Sequence, residues 1–212
     1  MTAGKKYGML VDLDLCIGCK ACEVACRQEH NLKPRVGEEL DFKKYGAPFW
    51  VKVNWAGPYG TFPNLSFYYY AEMCAQCDDP PCAAACEPQF FYKRDDGIVG
   101  VDRAKKCDGC GECVRACPYP GVIWIDPDTK LAEKCSFCNH RVEDGREPAC
   151  VKHCPMQCLT FGDMNDPTST ISTKLGTKDV QNNRIKIPVP PHMEVLPNVT
   201  YVLRRKQAGH FG

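Results

Sequence analysis

The chain has 212 residues, enough for one large or two small domains, and balances 27 Lys plus Arg against 26 Asp plus Glu for a formal charge of +1. That balance excludes a strongly basic nucleic-acid binder and an acidic tail protein, and no apolar run approaches the ~18 to 20 residues that span a bilayer. The unusual figure is 17 cysteines, a density that points to disulfide staples or to metal ligation.

The opening stretch MTAGKKYGMLVD has no apolar export core and no twin arginine. No export signal of the chain's own is therefore expected, and a location on either side of a membrane stays open, since export could ride on a partner's signal. A β-type segment at 7–13 leads into Cys16, Cys19, Cys22 and Cys26, spaced C-x2-C-x2-C-x3-C. Residues 31–65 follow, with four Gly, four Pro and seven aromatics: Phe42, Tyr45, Phe49, Trp50, Trp55, Tyr59 and Phe62. This is too aromatic for a flexible linker and reads as a loop insertion that covers its own core or docks on a partner. A strand-like segment at 65–70 precedes the second quartet, Cys74, Cys77, Cys82 and Cys86, and another at 98–102 precedes the third. The third quartet, Cys107, Cys110, Cys113 and Cys117, repeats the first spacing and is followed by Pro118. The β-type VIWID (122–126) leads to the fourth quartet, Cys135, Cys138, Cys150 and Cys154, and the β-type LTFGD (159–163) follows it. Pro118 and Pro155 end the helical turns before them, because proline cannot continue a helix. Cys158 is left over and reads as a small buried apolar side chain. The tail 166–212 has no metal-ligating pattern and few apolar residues, so it is expected to lie against a larger partner.

Disulfides suit a short secreted chain with an even cysteine count; here the count is odd and the cysteines cluster. Zinc takes four ligands, usually as two separated C-x2-C pairs, and a structural zinc adaptor is the rival reading. A third cysteine two residues on gives zinc nothing useful, whereas C-x2-C-x2-C-x3-C-P is the bacterial ferredoxin run for a 4Fe–4S cluster. Three thiolates on one loop wrap one face of the cubane, and the fourth lies one helical turn on and serves elsewhere. Gly18 and Gly109 share a slot in that loop, either to let backbone amides approach inorganic sulfide or simply as turn residues.

VDLDLCIGCKACEVAC (11–26) matches VDRAKKCDGCGECVRAC (101–117). EMCAQCDDPPCAAAC (72–86) matches EKCSFC (133–138) joined to PACVKHC (148–154). The order is that of a duplicated two-quartet unit. The expected fold is α+β: two ferredoxin-like double-cluster units, with a loop insertion and a C-terminal extension. Spacing alone does not fix which quartets share a unit.

The four motifs in this order, with DDPPC (78–82), CSFCNHR (135–141), FGD (161–163) and PNVTYVL (197–203), resemble the four-cluster iron–sulfur subunits of the dimethyl-sulfoxide-reductase superfamily of molybdopterin oxidoreductases. The resemblance spans about residues 5 to 165. It departs at Glu87, where relatives have proline; here Pro88 comes one residue later. The resemblance implies that quartets one and four form one unit (1–30 with 132–165), and two and three the other (66–131). It also implies four 4Fe–4S clusters with crossed ligation. The first would be held by Cys16, Cys19, Cys22 and Cys154, and the second by Cys26, Cys135, Cys138 and Cys150. The third would be held by Cys74, Cys77, Cys82 and Cys117, and the fourth by Cys86, Cys107, Cys110 and Cys113. The implied partners are a large catalytic subunit with a molybdenum or tungsten pterin site and a quinone-linked membrane subunit or soluble carrier. The cluster subunit of a hydrogenase or formate–hydrogen complex is the nearer alternative.

The chain contains no G-x-S-x-G, P-loop or H-E-x-x-H motif. His30, His140, His153, His192 and His210 are scattered and form no recognisable site; His153, between two cysteines, is expected to pack beside a cluster. The chain is thus expected to be non-catalytic and to relay electrons. Each oxidised cluster with its thiolates brings about −2, so the loaded chain would stand near −7. Lys20, Arg27, Lys106, Arg115, Lys134 and Lys152 are the candidate offsetting cations.

Overall fold

The computed structural model describes residues 4–32, 49–185 and 196–204. Its centre is β1 (Tyr7–Asp12), flanked by antiparallel β8 (Leu159–Asp163) and parallel β10 (Val199–Val202), with short β9 (Arg184–Ile185) at the far edge. Met9 pairs with Phe161 on one side and Val199 on the other. A strand covered on both edges and both faces should be apolar throughout, and Gly8 to Val11 are buried without alternation. The chain's two ends therefore close one sheet.

Three two-stranded hairpins complete the strands. They are β2 (Val51–Tyr59) with β3 (Ser66–Met73), β4 (Phe91–Lys93) with β5 (Val99–Val101), and β6 (Ile123–Ile125) with β7 (Ala132–Lys134). The helices are short: α1 (Ala21–Glu29), α2 (Pro81–Ala84), α3 (Glu112–Ala116), α4 (Asn139–Glu143), α5 (Ala149–Lys152), α6 (Thr170–Gly176) and α7 (Lys178–Asn182). No helix among the described residues is long and apolar enough to cross a membrane.

Two apolar cores hold most of the buried thiols. The larger combines Met9, Val11, Val51, Val53 and Phe137 with Cys22, Cys26, Cys74, Cys135 and Cys150. The second packs Phe90, Phe91, Val99, Ile123 and Ile125 around Cys77, Cys82 and Cys113.

The structure corrects two expectations. Residues 51–59, read as part of an aromatic loop, form a strand with β-pairing from Val51↔Met73 to Tyr59↔Ser66, and Trp50 is buried beside it. The glycines and prolines masked the alternating pattern VKVNW, whose Val51 and Val53 point inward. Phe42 and Tyr45 lie outside the described residues. Nor is the tail simply laid on a partner. Ile171, Val180 and Val202 pack with Leu10 in a core of their own, and the buried Tyr201 hydroxyl donates to the Ala71 carbonyl at 2.8 Å. The segment 186–195, which includes most of IKIPVPP, and the terminal 205–212 are outside the described residues.

Gln76 ties the second quartet's loop to two other segments. Its amide nitrogen donates to the Cys135 carbonyl at 2.7 Å and its amide oxygen accepts from the Val99 N–H at 2.7 Å. Asn198 clamps the same loop, donating from its side chain to the Gln76 carbonyl at 2.8 Å and to Asp78 Oδ1 at 2.9 Å. Because Gln76 is fully buried, Gln76→Leu strands a donor and an acceptor. It should destabilise the folded holoprotein by about 2 to 6 kcal/mol, read from chemical denaturation, at roughly 1 to 3 kcal/mol for each orphaned group.

Candidate iron–sulfur centres

The four C-x-x-C loops share one backbone device. The residue before the second cysteine is left-handed in each: Gly18 (φ 71°), Gln76 (φ 51°), Gly109 (φ 70°) and Phe137 (φ 52°). A left-handed residue in a tight loop turns successive N–H groups into one concavity, which suits an anion such as a sulfide-bearing cluster. Packing adds a second reason for glycine. A Cβ on Gly18 would sit 2.6 Å from the Tyr69 ring, and one on Gly109 would sit 2.6 Å from the Lys130 carbonyl oxygen. Gln76 and Phe137 adopt the same φ without being glycine. Gln76 is held by its amide bonds, and Phe137 by burial and edge contact with Phe161, ring centres 5.4 Å apart. Glycine was the only signal visible in the sequence, so these two escaped it.

The third cysteine is the second residue of a helix in every quartet: Cys22 in α1, Cys82 in α2, Cys113 in α3 and Cys150 in α5. Two of these helices begin at proline, Pro80–Pro81 and Pro148, where a missing N–H costs nothing. Orphan amides at such starts favour negative charge on the thiols beside them.

The thiols come together across quartets. Burial pushes Cys22 up to about 12, and Cys16, Cys154 and Cys19 add to the shift. Burial also raises Cys26, with Cys135 and Cys138 next to it, and Cys150, with Cys135, Cys26 and Cys138 around it. Cys117 is raised by burial and by Cys74, Cys82 and Cys77. Burial carries Cys113 up to about 12 among Cys82, Cys86, Cys107 and Cys110. Each fourth cysteine thus lies with three cysteines of another quartet. Neighbouring groups also sense each other's charge: Cys22 acts on Cys26 and Cys150, Cys74 on Cys135, and Cys82 on Cys113.

Two of these groups ring hollows. One is lined by Cys86, Cys107, Cys110 and Cys113. The other is lined by Cys16, Cys19, Cys22 and Cys154. Among the described residues no three His, Cys, Asp or Glu side chains converge at single-ion spacing. The residues present fit 4Fe–4S clusters.

Cys158 is buried, as expected, but it lines the second of these hollows, its Sγ 3.4 Å from Cys154 Sγ. Its thiol beside Cys16 holds Cys16 below the usual range and is itself pushed up. The histidine reading needs correction. His153 is exposed and its Nδ1 bonds only the Ala149 carbonyl. His30 instead places Nε2 3.2 Å from Cys138 Sγ and packs on Trp50, ring centres 4.0 Å apart. Burial and the neighbouring His140 push His30 down to about 4. No motif marks His30, because Cys138 is 108 residues away in sequence. Of the six candidate cations, Lys20, Lys106, Arg115 and Lys152 are exposed; Arg115 pairs with Glu112. Arg27 is partly buried over the Phe49 ring, and Lys134 alone is fully buried.

Comparison with known proteins agrees with this chemistry. Residues 65–164 match a 4Fe-4S dicluster domain and residues 9–29 a 4Fe-4S binding domain. The chain is 41% identical over 195 residues to polysulfide reductase B of Wolinella succinogenes, covering 92% of this chain and 95% of that protein. It is 37% identical over 197 residues to tetrathionate reductase B of Salmonella typhimurium, covering 93% of this chain and 72% of that one. It is 35% identical over 201 residues to the iron-sulfur subunit of a putative dimethyl sulfoxide reductase of Halobacterium salinarum, covering 82% of this chain and 72% of the other. With mixed α and β elements, ferredoxin-type 4Fe–4S domains and relatives that are the B subunits of reductase complexes, the chain belongs to the iron–sulfur electron-transfer subunits of the molybdopterin oxidoreductases.

Proposed function

We propose that the chain holds four 4Fe–4S clusters in a row. The first is ligated by Cys16, Cys19, Cys22 and Cys154, and the second by Cys26, Cys135, Cys138 and Cys150. The third is ligated by Cys74, Cys77, Cys82 and Cys117, and the fourth by Cys86, Cys107, Cys110 and Cys113. The observation that carries this reading is the grouping of each fourth cysteine with three from another quartet, by shared lining for the first and fourth groups and by mutual electrostatic influence for the middle two. The shared left-handed slot in all four loops supports an origin by duplication of a two-quartet unit. Quartets one and four then form one ferredoxin-like unit and quartets two and three the other.

When bound, such clusters take up and release one electron at a time. The protein's part is to hold them close, bury the middle two and leave the terminal pair near the surface. Cys19 and Cys110, in the first and fourth groups, are exposed, whereas Cys74, Cys77, Cys82, Cys135, Cys138 and Cys150 are buried. The two ends differ in character. Leu15, Ile17, Val24 and Met156 are exposed around the first group. The Tyr69 ring lies over Gly18 there, with exposed Phe67 edge-on to it at 5.7 Å. The fourth group is bordered by exposed Lys105, Lys106, Asp108, Glu112 and Arg115. Permanent subunit interfaces are the more hydrophobic kind. The first end therefore suits a large molybdopterin catalytic subunit, and the charged end a quinone-linked membrane subunit or a soluble carrier.

The purified holoprotein should contain about sixteen irons with matching acid-labile sulfide; far fewer of either would overturn the four-cluster reading. Cys154→Ala should lower iron by about four per chain, and Cys158→Ala should leave it unchanged, both read by metal analysis. Ile17→Lys combined with Met156→Lys should weaken co-purification with the catalytic subunit at least tenfold while iron content stays at the wild-type value.

A further inference from the structure

Lys134 is the last residue of β7 and has no exposed surface. A buried ammonium is costly unless it is paired, and lysine is almost never fully buried alone. Among the described residues, however, no carboxylate pairs with it. Its Nζ donates to the Val99 carbonyl and, at 3.1 Å, to the Cys135 carbonyl, and lies 5.4 Å from the centre of the Phe91 ring. Carbonyl dipoles and a ring face solvate a cation without neutralising it. Thiols can supply the negative charge: Lys134 directly precedes Cys135, and its charge favours the ionised forms of Cys135 and Cys82.

We infer that Lys134 is the buried counter-charge of the two middle clusters, a positioning residue that raises the reduction potential of both. The inference rests on the ligand sets proposed above, in which Cys135 belongs to the second cluster and Cys82 to the third. Reduction of such a centre would add one electron to a group that already carries negative charge. A fixed positive charge in a low-dielectric interior favours the more negative form. One cation between neighbouring centres lifts both, which keeps the interior of the chain from becoming a barrier to electrons passing between the exposed ends. The other five candidate cations are not fully buried, so water screens them.

The test is an EPR-monitored redox titration of the holoprotein with wild-type Lys134, Lys134→Met and Lys134→Gln. Methionine keeps the stem and removes the charge; glutamine removes the charge and retains a donor for the carbonyls. Both variants should keep the wild-type iron content, and two of the four potentials should fall. The expected loss is about tenfold in each reduction equilibrium, or about 59 mV, with the other two potentials unmoved. Full iron with four unmoved potentials would overturn the inference. A shift in Lys134→Met that is absent in Lys134→Gln would also overturn it, by assigning the effect to the hydrogen bonds. Loss of iron from both variants, with the surviving clusters at wild-type potentials, would overturn it in favour of a folding role. Wild-type iron is measured first: a count far below sixteen is the failure of the four-cluster reading and is distinct from each of these results.

Discussion

The molecule is organised around concentrated negative charge placed in a small apolar interior. Thiolates disfavour burial, and each added thiolate disfavours the next. Both effects act on Cys22, Cys77, Cys113 and Cys135, whose thiols are pushed up to about 12. Ligation by iron removes the need for a proton on each sulfur, so metal binding and folding draw on the same free energy. The remaining devices of the fold answer the same constraint: left-handed loops that gather N–H groups, helices that start beside the third cysteine, and one lysine buried among carbonyls.

Rigidity comes from polar ties as much as from apolar packing. The second quartet's loop is the most heavily tied. Gln76 binds it to the fourth quartet and to β5, and Asn198 binds it to the C-terminal strand. Lys93 reaches the Cys77 carbonyl at 2.6 Å and the Gly97 carbonyl at 2.8 Å. Since Cys74 acts on Cys135 of the second group and Cys82 on Cys113 of the fourth, a shift in this loop would alter the spacing of the third group from both of its neighbours. A loop fixed from three directions keeps those separations constant, and electron transfer over a chain of centres depends on distance.

The tail and the aromatic segment serve the same end from outside. β10 completes the sheet beside β1, and Arg204 bonds Asp12 and Asp179 across the closure, at 2.7 and 2.6 Å. The β2–β3 hairpin lays Val51 and Val53 on the first core while Trp55 and Phe67 face outward. One element thus covers a thiol group on its inner side and offers an apolar surface on its outer side.

What the sequence determined by itself was the chemistry. Quartets of cysteine at fixed short spacing admit few metals, and that spacing is local, so it could be read residue by residue. Four of the five expected strands, 7–13, 98–102, 122–126 and 159–163, lie within a residue of the strands observed, because their apolar runs are also local. Tertiary structure alone decided the rest. The 31–65 segment hid a strand whose pattern only its partner β3 makes sense of. The tail became part of the central sheet through pairing with residues about 190 positions away. His30 met Cys138, and Lys134 rather than five equally plausible cations was enclosed. Such facts depend on which distant segments share a volume, and the local spacing of residues holds no record of that.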